Sequence, residues 1–194
     1  FRSGSTLTAS SASAASGFTN DGTIVFNDDP IPASAATLTV ASGTLLNRGT
    51  LRSLVGGQRR NVYGWLEYRA ASALITAPRL ENRGTIELGA DYNTLAVPQL
   101  ENRGAMTLVA DRSLTLGAGT SDAHVRILQA AGTLTVAGTA SLGSYTDLEL
   151  SGGSLVNTGS WVMGGSGSSV TCAGAVLSGN RLSLTNVRAS RSEE

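Results

Sequence analysis

Three arginines and three aromatics crowd one stretch of this chain: Arg59, Arg60, Tyr63, Trp65, Tyr68 and Arg69 fall between Gly56 and Arg69. The chain has 2 Trp, 4 Tyr and 3 Phe in all, so a third of its aromatics sit here. Aromatic faces can stack on a sugar ring or anchor a protein partner, and guanidinium forks match carboxylate or sulfate oxygens. These six are the candidate ligand-binding residues. The competing expectation is that Tyr63, Trp65 and Tyr68 cover the flank of the larger structure as a local packing loop, and their alternate spacing equally suits an ordinary strand.

A second grouping is ionic. Glu81 and Glu101 hold equivalent positions in a repeated segment, Arg83 and Arg103 follow two residues on, and Arg48 extends the arginine row. Alternating surface charge, of modest energy per exposed pair, is the expected role; an anion-recognising stripe is the sharper one. A carbohydrate lyase or hydrolase needs carboxylates gathered on one face to move protons, and the 14 acids here are dispersed. Asp28 and Asp29 precede Pro30 and are expected to cap a loop. His124, the single histidine, has no nearby nucleophile motif or second imidazole and reads as a loop residue. Gly164-Gly165-Ser166-Gly167 lacks the Lys-Ser/Thr and the following helix of a phosphate loop. The lone Cys172 gives no disulfide framework and reads as a small buried filler. No catalytic residue, metal site or cofactor is predicted.

What must position these groups is a repeat. An apolar residue, a variable one, Asn, a variable one, Gly, a small residue and an apolar residue recur as Phe18–Ile24, Leu45–Leu51, Leu80–Ile86, Leu100–Met106 and Leu155–Trp161. A degenerate copy spans Leu128–Leu134 with Ala130 in the Asn place, and Leu177-Ser178-Gly179 is a weaker one. Successive Asn places are 27, 35, 20, 28 and 27 residues apart, inside the range of roughly 20–50 typical of solenoids. Asn tolerates left-handed backbone and Gly meets no Cβ penalty at positive φ, so the unit should end one strand and redirect the chain into the next. In a stack, Asn20, Asn47, Asn82, Asn102 and Asn157 would lie about 4.8 Å apart and form a hydrogen-bonded ladder. Gly22, Gly49, Gly84, Gly104, Gly132 and Gly159 complete the turns.

Between these units Thr37-Leu38-Thr39-Val40, Thr85-Ile86-Glu87-Leu88, Ser113-Leu114-Thr115-Leu116 and Thr133-Leu134-Thr135-Val136 alternate polar and apolar, the period of a half-buried strand. The expectation is an all-β, right-handed parallel β-solenoid of about seven to eight coils with almost no helix. One domain should cover residues 1–187, with an insertion at 52–79 in the longest coil and a charged tail at 188–194. The first residue is Phe1, and the chain reads as an internal stretch of a longer precursor.

Composition fits that architecture. Gly is 24 of 194, charged residues are 14% and aromatics 5%, while the apolar share is 41%, a balance that suits small and β-branched residues in repeating layers and argues against disorder. All 14 basic residues are arginine and the net charge is zero. The total therefore makes no case for a nucleic-acid partner, and no run approaches the roughly 18 apolar residues of a membrane span, so direct membrane insertion is not expected.

Leu-x-Asn-x-Gly-Thr-Ile/Leu interleaved with Thr-Leu-Thr-Val resembles the repeats of filamentous-haemagglutinin-like and autotransporter-type β-solenoid proteins, over roughly Phe18 to Thr185. That resemblance implies an exported, extracellular or cell-surface module, structural or adhesive and not catalytic. Its expected partners are a host or neighbour-cell protein or glycan, and flanking domains of the same polypeptide. A carbohydrate-binding or lyase-like β-helix is the alternative, and a self-assembling or phage-fibre segment the third.

Overall fold

The computed structural model describes residues 1–26, 36–54, 57–60, 63, 65–117, 119–180 and 183–191. Asp28 and Asp29 lie outside them. Eight coils follow one another. Coil 1 holds β1 (Thr6–Ala9), β2 (Ser11–Ala14) and β3 (Phe18–Asn20); coil 2 holds β4 (Thr23–Phe26), β5 (Ala36–Val40) and β6 (Thr44–Asn47). Coil 3 starts with β7 (Thr50–Ser53), leaves the stack through β8 (Gly57–Arg60) and β9 (Leu66–Arg69), and resumes with β10 (Ser72–Thr76) and β11 (Arg79–Asn82). Coil 4 is β12 (Thr85–Leu88), β13 (Tyr92–Ala96) and β14 (Gln99–Asn102); coil 5 is β15 (Ala105–Leu108), β16 (Ser113–Leu116) and β17 (Val125–Gln129). Coil 6 is β18 (Thr133–Val136), β19 (Thr139–Leu142) and β20 (Thr146–Leu150). Coils 7 and 8 have two strands each: β21 (Ser154–Asn157) with β22 (Ser160–Cys172), and β23 (Val176–Gly179) with β24 (Ser183–Arg191).

Apart from β8 and β9, each strand pairs in parallel with its counterparts in the neighbouring coils, giving three parallel sheets of seven or eight strands, and the protein is a parallel β-solenoid. The first sheet runs β1-β4-β7-β12-β15-β18-β21-β23. The second climbs from β2 through β19 and the third from β3 through β20; both end on the 13-residue β22, which crosses from one sheet to the other. Every regular element among the described residues is a strand.

Alternation decides which side chains go in. In the first sheet Ile24, Leu51, Ile86, Met106, Leu134 and Leu155 stack in register. Leu38, Ile75, Leu95, Leu116, Leu142 and Met163 do so in the second, and Leu45, Leu80, Leu100, Ile127, Leu148 and Val170 in the third. All are buried in one continuous core, each worth roughly 1.5–3 kcal/mol relative to exposure.

The chain turns from the third sheet back to the first at the Asn-x-Gly segments, and their amides point inward. Asn20 Nδ2 donates to Asn47 Oδ1 at 2.8 Å, Asn47 to Asn82 at 2.8 Å, and Asn82 to Asn102 at 2.7 Å. Each Nδ2 also reaches the main-chain carbonyl that opens the first-sheet strand following its ladder partner: Thr50, Thr85 and Ala105 at 3.0–3.2 Å. All four amides are buried, so each bond removes a desolvation cost as well as linking coils.

Three readings of the repeat change here. The fifth ladder member is Gln129, which pairs in register with Asn102 and accepts from it at 2.7 Å; the degenerate copy is out of phase by one residue, and Ala130 is not in the column. Asn157 belongs to another corner. It ends β21 in the first sheet, in register with Val136 below and Gly179 above, and the Leu155–Trp161 copy turns the chain into the second sheet. The glycines, finally, answer to crowding more than to φ. A Cβ on Gly49, Gly84 or Gly104 would lie 2.0–2.2 Å from the carbonyl oxygen of the glycine one coil before it, and none of the three has positive φ. Gly132 meets the same contact at 2.1 Å and has φ +67°. Gly159 stacks on Gly138 in the separate corner, at 2.0 Å.

The edges of the domain shift too. Arg188 to Arg191 continue β24, paired with β22 from Ser169 to Cys172, so the stack runs past 187. The excursion in coil 3 is confined between β7 and β10, and residues 72–79 belong to the regular coil.

Candidate functional site

Between Ser53 and Ser72 the chain leaves the first sheet and returns to the second, and the segment between is an antiparallel two-stranded sheet of its own. Its register sets Gly57 opposite Arg69, Gln58 opposite Tyr68, Arg59 opposite Glu67 and Arg60 opposite Leu66. All six predicted ligand residues therefore lie in one hairpin: Arg59, Arg60, Tyr68 and Arg69 on its strands, Tyr63 and Trp65 in the connection at its tip. Tyr63 is 82% exposed and Trp65 73%. Tyr63 and Trp65 thus do not pack as a flank-covering loop: they are the two most exposed aromatics among the described residues.

The coil beneath is built to let the chain out and take it back. Ser53, at the end of β7, is buried where neighbouring coils carry Phe26 and Leu88. Its hydroxyl donates to Asn93 Oδ1 at 2.7 Å and accepts from the Gly89 and Ala90 amides at 2.9 and 3.1 Å. Asn93 Nδ2 in turn reaches the carbonyls of Ala90 and Ser113. On the returning side Asp91 accepts from the Ala71 amide at 2.8 Å and from Arg112 Nη1 at 2.6 Å. A hydrogen-bonded polar network thus braces the coil above the hairpin's two anchor points, and sequence reasoning missed all of it. The detectable signal was Asn93, a polar residue at an inward place of an alternating strand.

The outer face of the third sheet carries the ionic grid. Glu81 and Glu101 are register partners. Arg83 Nε turns back to Glu81 at 2.6 Å, Arg103 Nε to Glu101 at 2.5 Å, and Arg79 reaches Glu101 from the preceding coil at 2.9 Å. Burial pushes the Glu101 carboxyl up, but hydrogen bonds and charge from Arg103 and Arg79 outweigh it and hold the group below its ordinary value. Arg126 pairs Glu149 at 2.6 Å in the same diagonal sense. Arg83 and Arg103 are thus committed to carboxylates of this chain, which favours the surface-charge role over an anion stripe.

His124 closes a second excursion, between β16 and β17, where Thr120 and Ala123 exchange main-chain hydrogen bonds. Its Nδ1 lies 2.8 Å from Asp147 Oδ2, and its ring rests 5.6 Å from that of Tyr145. Tyr145 has φ 53°, and a Cβ on Gly167 would sit 2.4 Å from its ring. Ser169 donates to Asp147 Oδ1 at 2.6 Å, not to His124. Ser, His and Asp are together, yet the hydroxyl is not bonded to the imidazole as a nucleophile would be to its base. Among the described residues no group of three His, Cys, Asp or Glu side chains could hold a metal ion. Cys172 is half-buried, in the inward column that Asn20 begins.

No family model, curated protein or solved structure matches the chain.

Proposed function

We propose that this protein is a non-catalytic display module: a stiff solenoid whose work is to hold the hairpin β8–β9 away from its flank as a recognition element, as in exported surface proteins. The observation that carries the reading is the pairing of a continuous, hydrogen-bonded core column with one hairpin whose tip aromatics are 73–82% exposed. Large aromatics on a mobile surface would cost ordering entropy on binding; on a hairpin anchored at both ends by a braced coil, part of that cost is already met. The same residues suit a sugar or a protein surface, and the resemblance of the repeats to adhesin-type solenoids favours contact with a cell surface.

Replacing residues 57–69 by a short Gly-Ser turn tests this. The rod should keep its thermal midpoint within a few degrees, while binding to cells or to a glycan array is lost. Binding that survives the replacement would refute the display reading. So would a rise in unsaturated-product absorbance when the intact chain meets a uronic-acid polymer, which would make it a lyase.

A further inference from the structure

We infer that the hairpin docks onto an anionic lipid surface, its aromatic tip seated at headgroup level; this rests on the display reading and names its partner. The net charge of zero conceals a local excess. Residues 57–69 hold Arg59, Arg60 and Arg69 against Glu67, a net of +2, so the rest of the chain carries −2. The strand register orders these residues along the hairpin. Tyr63 and Trp65 are in the connection, the Arg60–Leu66 pair follows, then Arg59–Glu67, Gln58–Tyr68, and Gly57–Arg69 at the base.

At about 3.4 Å per residue, the arginines lie from one to four steps behind the tip, all within about two Debye lengths of a surface the tip touches. Trp and Tyr are the side chains that favour the boundary between headgroups and acyl chains, having an apolar body and a polar handle. Arginine close to an anionic leaflet adds attraction. A polysaccharide would be better served by aromatics spread along a flat strand face; here the two most exposed aromatics of the described residues, Tyr63 and Trp65, both fall in the connection between β8 and β9. Docking of this kind needs no membrane span, consistent with the absence of any helix long and apolar enough to cross one among the described residues.

The two tryptophans make the test direct. Trp161 is in the core at 1% exposure and Trp65 is at the tip at 73%, so Trp161 reports the fold and Trp65 the contact. The intact chain is titrated with phosphatidylcholine vesicles containing phosphatidylserine, with vesicles of phosphatidylcholine alone, and with heparin. The expected result is a blue shift and gain of Trp65 emission with the anionic vesicles, weakened by salt. Arg59→Gln with Arg60→Gln and Arg69→Gln should lower partitioning roughly fivefold per arginine, and Trp65→Ala should abolish co-sedimentation while Trp161 emission stays unchanged. An equal response to uncharged vesicles, or none to anionic ones, overturns the lipid assignment. A Trp65 response to heparin without one to vesicles overturns it while leaving the display reading intact.

Discussion

The same corner, from the third sheet to the first, is built in two ways at the two ends of this rod. In coils 1 to 4 it is Asn-x-Gly: the amide enters the ladder, and Gly49, Gly84 and Gly104 pass over the carbonyl of the glycine one coil below without left-handed backbone. In coils 5 and 6 it is one residue longer, Gln129-Ala130-Ala131-Gly132 and Leu150-Ser151-Gly152-Gly153, and the closing glycines have φ +67° and +68°. Both forms keep one clamp. Two consecutive amides bond the carbonyl below, Arg83 and Gly84 to Asn47 in the short form, Ser151 and Gly152 to Gln129 in the long one. The extra residue comes after the clamp, and only a left-handed step brings the chain back into register. One corner thus uses glycine for space alone, the other for space and for handedness.

The largest effect that separates them is expected at Gly104. Gly104→Ala puts a Cβ 2.1 Å from the Gly84 oxygen, with backbone and no flexible side chain to yield, so the coils must part at a cost of about 3 kcal/mol or more. Gly104→Asn should be no better. At Gly132, where the backbone is left-handed as well, Asn should recover part of what Ala loses, because Asn visits that region more readily. Denaturant midpoints of the four variants decide it; equal losses for Ala and Asn at Gly132 would mean that handedness contributes nothing there.

Next in size is the ladder itself. Asn82→Leu places in coil 3 the residue that coil 6 already has at Leu150, but it strands the Asn102 acceptor and deprives Asn47 of one, with an expected loss of about 2–4 kcal/mol. Changing Asn20, Asn47, Asn82, Asn102 and Gln129 together should cost less than five times the single change, because no ladder amide is then left facing an apolar neighbour. Strict additivity would break the argument that the column is a single network.

The smallest effect is at the surface. Because the folded Glu101 carboxyl lies below its ordinary value near 4.5, its contribution is fully present above that value and is lost as pH falls through the folded one. Glu101→Gln should therefore show its full effect, a loss of about 1 kcal/mol or less, at pH 7, and flatten the stability profile below about pH 4.5, where the two proteins converge. An unchanged acid limb would show that Arg79 and Arg103 do not hold the carboxylate.

How much of this the sequence discloses depends on whether the determinant is local. Leu38, Leu116 and Leu134 announce their direction by alternation with Thr, so strands, sheets and core were legible. The ladder was legible at Asn20, Asn47, Asn82 and Asn102, where a short corner keeps Asn and Gly two residues apart. It failed at Asn157, because an identical string serves a different corner and only the register with Val136 reveals which. It failed at Gln129 because the lengthened corner moves the glycine and leaves the amide behind. The hairpin was visible as an excess of length and of aromatics, but Ser53 and Asn93, which meet across 40 residues, have no local mark beyond a polar residue in an inward place.

The ladder also has a direction. From Asn20 to Asn102 every ladder amide donates to the next one toward the C-terminus, ending on Gln129, so a stack ending at any of these Asn coils presents an unspent donor to the coil not yet formed. A chain that emerges N-terminus first can be read as a zipper with one open end. Each completed turn templates the next, and a turn that arrives one residue out of phase offers it an arginine such as Arg48, Arg83 or Arg103 in place of an acceptor.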